Sequence, residues 1–165
     1  MADAHHRRAE SGESFLLPGG DVHTVMLSGA ESGGQLAVLE IRCPPGGGPP
    51  PHTEPTHAFF RVLEGEVEFS LEQGGALETV VLRAGDTAFV PGRAGHAFHN
   101  RSGFPARLIV VGQPAGLEEF IAEAGVPIEN PTTPPAPPEI SDRAQMEIVF
   151  DRRGIKPFQS DSAVW

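Results

Sequence analysis

Cys43 is the only cysteine in the sequence, which excludes an internal disulfide and an all-thiolate metal cage. Basic residues are scarce as well: 12 Lys and Arg against 22 Asp and Glu leave a net charge of −10. With no basic stripe, neither nucleic acid nor an anionic membrane is an expected partner. No apolar run approaches the ~18 residues of a membrane span. The polar start Met1–Glu10 lacks the apolar centre of a signal peptide, so a cytoplasmic protein is expected. Also missing are a phosphate loop, a nucleophile elbow and a dinucleotide fingerprint. Gly46-Gly47-Gly48 runs into three prolines rather than into a Lys and a helix.

Glycine and proline are abundant, 20 and 17 of 165 residues, beside a hydrophobic fraction of 39%. That balance predicts one folded domain made of many short strands and tight turns. Apolar stretches at Val22–Leu27, Leu36–Cys43, Phe59–Leu63, Val67–Leu71, Leu77–Leu82, Thr87–Val90, His96–His99 and Arg107–Val111 are separated by turn clusters. Strands this dense, with no helix between them, require an antiparallel sandwich or barrel. The close spacing of Phe59–Leu63 and Val67–Leu71 around Glu64-Gly65 reads as a tight hairpin.

The expected organisation is a flexible tail at 1–14, a β-barrel at 15–112 and an extension at 113–165 that packs on the barrel. Leu117, Phe120, Ile121 and Ala124 recur at helical spacing, and Gly125 is placed to end that helix in a left-handed conformation. The proline-rich stretch 127–138 is expected to run extended, without regular structure. A second helix is expected from an N-cap at Ser141, with Met146, Val149 and Phe150 as its apolar stripe and Gly154 as its end. Neither helix can form a core of its own. Both are expected on the outside of the barrel or over one mouth.

Two segments carry the chemistry. In the first, His52 and Glu54 are two residues apart, so on a strand they share a face. In the second, His96 and Phe98 do the same. Two imidazoles and a carboxylate converging inside a small barrel would form a set that leaves open positions on a divalent metal. Arg61 and Arg93 are the arginines nearest Glu54 in sequence, and a buried carboxylate would need a cation, a proton or such a partner. Phe60 and Val62 share the phase of Ala58. With Phe89 and Phe98 they are expected to form the apolar, substrate-binding wall of a small-molecule pocket.

These segments resemble the two motifs of the cupin superfamily, whose fold is an all-β antiparallel jelly-roll barrel. The first motif, G-x5-H-x-H-x3-4-E-x6-G, is met at Gly46, His52 and Gly65. Its second histidine is replaced by Glu54 and its glutamate by Ala58. The second motif, G-x5-P-x-G-x2-H-x3-N, is met at Gly85, Pro91, His96 and Asn100, with Gly92-Arg93 in place of x-G. The C-terminal helices and proline strap also resemble the tails of quercetinase-like bacterial monocupins.

The resemblance implies one divalent transition metal, Fe first, with Mn, Ni, Cu or Zn as alternatives. Its ligands would be His52, Glu54 and His96. His57 could join them if a bulge after Pro55 swings it inward. His99 lies out of phase with His96 and is expected on the outer face or rim.

The expected function is a small-molecule metalloenzyme, a dioxygenase acting on an aromatic or enolisable substrate with Glu54 and His96 as its catalytic residues. A redox-neutral cyclase, isomerase or lyase, using the metal as Lewis acid or Glu54 as base, is the alternative within enzymes. A non-catalytic ligand-binding cupin is the alternative outside them. An open sheet edge makes a homodimer the expected assembly.

Overall fold

The structure, a computed structural model, describes residues 3–9, 11–137 and 143–159, without the side chains of 143–145. Among the described residues, no helix is long and apolar enough to cross a membrane.

Two antiparallel sheets face each other across a shared core. The larger runs in the order β11-β1-β2-β3-β10-β5-β8, the smaller β12-β4-β9-β6-β7. In chain order the strands of the larger are β1 (Ser14–Leu16), β2 (Val22–Leu27), β3 (Ala37–Cys43), β5 (His57–Glu64), β8 (Thr87–Val90), β10 (Ala106–Gln113) and β11 (Val126–Ile128). Those of the smaller are β4 (His52–Thr53), β6 (Glu66–Gln73), β7 (Ala76–Arg83), β9 (His96–His99) and β12 (Lys156–Pro157). The jelly roll is therefore two facing sheets, not one hydrogen-bonded cylinder. Alternation along the strands builds the core: Ala37, Leu39, Ile41 and Cys43 of β3 point inward, as do Ala58, Phe60 and Val62 of β5 and Leu108 and Val110 of β10. Phe69 and Phe98 meet them from the smaller sheet.

Three elements differ from expectation. The pair expected as a hairpin is a crossing between sheets: β5 pairs with β10 and β8, whereas β6 pairs with β7 and β9. A single linking residue, Gly65 (φ 72°), cannot close a hairpin loop. It turns the chain where a Cβ would lie 2.8 Å from the Pro105 carbonyl oxygen. The proline-rich stretch is not wholly irregular, because β11 pairs with β1. And Gly125 is extended (φ −99°, ψ 169°), so the first long helix, α2 (Leu117–Ala124), passes straight into β11.

A fourth departure is a short helix between β2 and β3, where none was expected: α1 (Gly29–Ser32) is held by the reciprocal cap of Ser28 and Glu31. The last helix, α3 (Arg143–Arg153), ends at Gly154 with φ 69°. Its expected N-cap, Ser141, lies outside the described residues. Phe150 of α3 packs on Phe120 of α2 with ring centroids 5.6 Å apart. Arg152 and Arg153 pair with Glu123, and Arg153 also with Glu119.

Candidate active site

A cavity of about 410 Å³ lies between the sheets. Ile41, Phe60 and Val110 of the larger sheet line it, and Leu117, Phe120 and Ile121 of α2 with Met146 and Phe150 of α3 cover its mouth. His52, Glu54, His96 and Phe98 form the wall of the smaller sheet.

His52 and His96 are cross-strand partners in the β4–β9 pairing, with ring centroids 4.4 Å apart. The Nδ1 of His52 lies 2.9 Å from the Pro50 carbonyl oxygen, and that of His96 lies 3.4 Å from the Ala94 carbonyl oxygen. A carbonyl only accepts, so each Nδ1 carries the proton and each Nε2 keeps its lone pair. Burial lowers the pKa of both imidazoles. For His96, burial and then the charge of His52 bring it down to about 3. Both are therefore neutral.

Glu54 is 5% exposed, and burial raises its pKa to about 7. Its Oε1 lies 3.9 Å from His96 Nε2. Neither Arg61 nor Arg93 pairs with it among the described salt bridges. The backbone of Arg93 does serve it, because its N–H donates to the Glu54 carbonyl oxygen at 2.6 Å. Arg93 occupies the glycine position of the motif and takes the left-handed conformation glycine would, with φ 71°.

Among the described residues, no three His, Cys, Asp or Glu side chains stand close enough together to hold an ion as placed. The donor chemistry fits one nonetheless. Two neutral imidazoles with Nδ1 tied back to carbonyls and Nε2 free are in the protonation state that a first-row divalent ion requires, and Glu54 beside them would join as a ligand on losing its proton.

The remaining expected site residues divide. Phe60 and Phe98 line the cavity. Val62 is fully buried in the core but is not part of the lining. Phe89 is 59% exposed on the outer face of β8, because alternation there turns Ala88 and Val90 inward. His57 is likewise outside: strict alternation in β5 opposes it to Ala58, its ring stacks on Phe89, and its Nδ1 accepts from the Gly92 N–H at 3.1 Å. No bulge redirects it, so it does not replace the donor missing at Ala58. His99 is at the half-buried end of β9, opposite Glu68.

With that geometry in place, residues 39–112 match the family model described as Cupin domain. That match marks a cupin domain over this stretch of the chain. An RmlC-like cupin from Shewanella frigidimarina NCIMB 400 superposes with a TM-score of 0.58 at 23% identity, over 71% of this chain and 96% of that one. A cupin-superfamily sugar phosphate isomerase from Silicibacter pomeroyi DSS-3 gives 0.56 at 25%, over 66% of this chain and 75% of that one. A recombinant oxalate oxidase in complex with glycolate gives 0.53 at 25%, over 67% and 56%, so this chain spans little more than half its length. No curated protein sequence matches it.

One pair in the cavity was not foreseen from sequence. Asp21 and His23 line the wall of the larger sheet, 4% and 7% exposed, with His23 Nε2 and Asp21 Oδ2 2.5 Å apart. Burial pushes the Asp21 carboxyl up, but the bond and charge of His23 and a backbone amide together bring it below its usual value. The signal available was the same two-residue spacing that singled out His52 and Glu54.

Proposed function

We propose that this cupin is a metal-dependent enzyme acting on a small, largely apolar organic molecule, with dioxygenase chemistry on an aromatic or enolisable substrate as its specific reaction. The observation that carries the reading is the pair of neutral imidazoles, His52 and His96, lining with Glu54 a largely apolar, helix-covered cavity. Among the described residues the lining holds no Lys or Arg. A phosphorylated sugar, such as the isomerase neighbour is named for, would find no Lys or Arg counter-charge among those described residues. An apolar ring system would find Phe60, Phe98, Phe120 and Phe150.

A redox-active divalent ion held by His52, Glu54 and His96 would supply the oxygen chemistry. The protein's own part is orientation and exclusion of water. The aromatic wall positions the substrate, and α2 with α3 closes the mouth. The backbone of Arg93 holds Glu54 in place.

Elemental analysis of protein purified without chelator tests this. About one Fe or Cu per chain is the expected result. Zn alone would move the reaction to redox-neutral Lewis-acid chemistry, and a metal-free protein that still binds aromatic ligands would overturn the metalloenzyme in favour of a binding cupin.

We propose also that two copies associate along β8, an edge of the larger sheet. There Phe59 and Phe89 are cross-strand neighbours, 42% and 59% exposed.

A further inference from the structure

The facing wall of the cavity holds a buried carboxylate–imidazole pair outside the proposed metal ligands. Asp21 immediately precedes β2 and His23 is its second residue, so the two share the inward face. Both belong to the lining of the cavity whose opposite wall is His52, Glu54 and His96. An ionised carboxylate only accepts, so His23 donates its Nε2 proton to Asp21 and keeps the lone pair on Nδ1. That Nδ1 is buried and has no hydrogen-bond partner among the described residues. A buried polar atom without a partner is costly, and natural structures retain few of them outside working sites. The pair is the arrangement in which a carboxylate fixes the tautomer of an imidazole and stabilises the imidazolium once it forms. The neighbouring thiol does not compete: burial, then the charge of Asp21, push Cys43 up to about 12.

We propose that His23 is the general base of this cavity, with Asp21 as its positioning residue, and that its substrate is a small apolar molecule bearing a phenolic or enolic hydroxyl. The substrate O–H bond breaks and an N–H bond forms at Nδ1. The electron pair stays on the substrate oxygen, and the imidazolium is held against Asp21. The net charge of the site is unchanged by the transfer.

The class of hydroxyl follows from matching acidities. A carboxylic acid would already be ionised and need no base, and an aliphatic alcohol is far too weak an acid for an imidazole. A phenol or enol lies between them, and its carbon skeleton suits the apolar lining. The inference rests on the cavity as a small-molecule site and is independent of the metal.

The test uses metal-stripped protein and 4-nitrophenol, whose anion is coloured and whose neutral form is not. Bound to the native protein at a pH where the free phenol is mostly neutral, the probe should show an excess of phenolate. His23→Gln should bind the probe but lower the phenolate-to-phenol ratio about tenfold or more, the equivalent of one pKa unit. Asp21→Asn keeps the shape and removes the charge, so it should lower the same ratio even if the histidine variant folds poorly.

His57→Ala, outside the cavity on Phe89, should leave the ratio unchanged. Equal phenolate fractions in the native protein and in Asp21→Asn would overturn the assignment of the base, and failure of the native protein to bind the probe would overturn the ligand class. Because no metal is present, these outcomes are read separately from the metal content that tests the proposed function.

Discussion

The side-chain amide of Asn100 donates to the carbonyl oxygen of Cys43 at 3.0 Å, tying the end of β9 to the end of β3. Asn100 is fully buried and donates as well to the Phe104 carbonyl oxygen at 2.8 Å. Its own carbonyl meets the Gly46 N–H at 2.7 Å, so the first glycine of one motif is bound to the last residue of the other. His96 lies on one side of this tie and the loop leading to His52 on the other. Asn100→Ala is expected to cost about 2–4 kcal/mol, since it strands buried carbonyls. Urea denaturation measures it, and a loss below about 1 kcal/mol would refute the structural role.

Metal content should separate the histidines. His52→Ala and His96→Ala should each lose most of the bound ion while keeping the fold. His57→Ala and His99→Ala should retain it, because His57 is outside on Phe89 and His99 lies at the half-buried end of β9. Retention of full occupancy in both of the first two variants would remove the metal site from the description.

Acid should weaken the metal-free protein through His96. Its pKa is near 3 when folded against a usual 6.5, so between those values the unfolded chain binds a proton that the folded one refuses. Stability should therefore fall as pH drops from 6.5 towards 3, by roughly 1 kcal/mol per pH unit from this group. His52, lowered by the same burial, adds to the effect. Glu54 opposes it, since a pKa of about 7 lets the folded state keep a proton that the unfolded chain releases above 4.5. In chelator, Tm against pH should be measurably flatter for His96→Gln than for the native protein. Parallel curves would contradict the prediction.

Arg93 is the only described residue other than glycine with a positive φ. Arg93→Gly should stabilise the fold by up to about 1 kcal/mol, because the left-handed conformation carries a penalty for any residue with a Cβ. A drop in stability would mean that the Arg93 side chain contributes more than its backbone strain costs.

Phe89→Glu places a charge on the β8 edge without touching the cavity. Light scattering should find it monomeric at concentrations where the native chain is a dimer. A native chain that is itself monomeric would remove the proposed assembly.

Most of the sheet was legible because alternation is a local signal. β2, β8 and β9 fall at the expected residues, and β5 turns Ala58, Phe60 and Val62 inward as its pattern requires. The histidines of the site were legible because a motif fixes their spacing. What was not legible depends on distant partners. Gly65 reads locally as a turn, and only the position of Pro105 and Ala106 against it shows why the chain changes sheets there. β11 and β12 each contain a proline and become strands only because the edges of β1 and β4 are available to them. Asp21 and His23 look like the start of an ordinary strand until the cavity is seen beside them.

β12 pairs with β4 at Thr53 and His52, and the Phe158 N–H donates to the Pro51 carbonyl oxygen at 3.0 Å. The ring of Phe158 lies so close to Gly95 that a Cβ there would come within 2.1 Å of it. The chain thus returns from the helix covering the cavity to grip both strands that carry the imidazoles. Opening of the mouth by α3 is therefore expected to pull on that grip, so that β12 slows the departure of a guest. Residence time, more than affinity, is the quantity that shortening this segment should change.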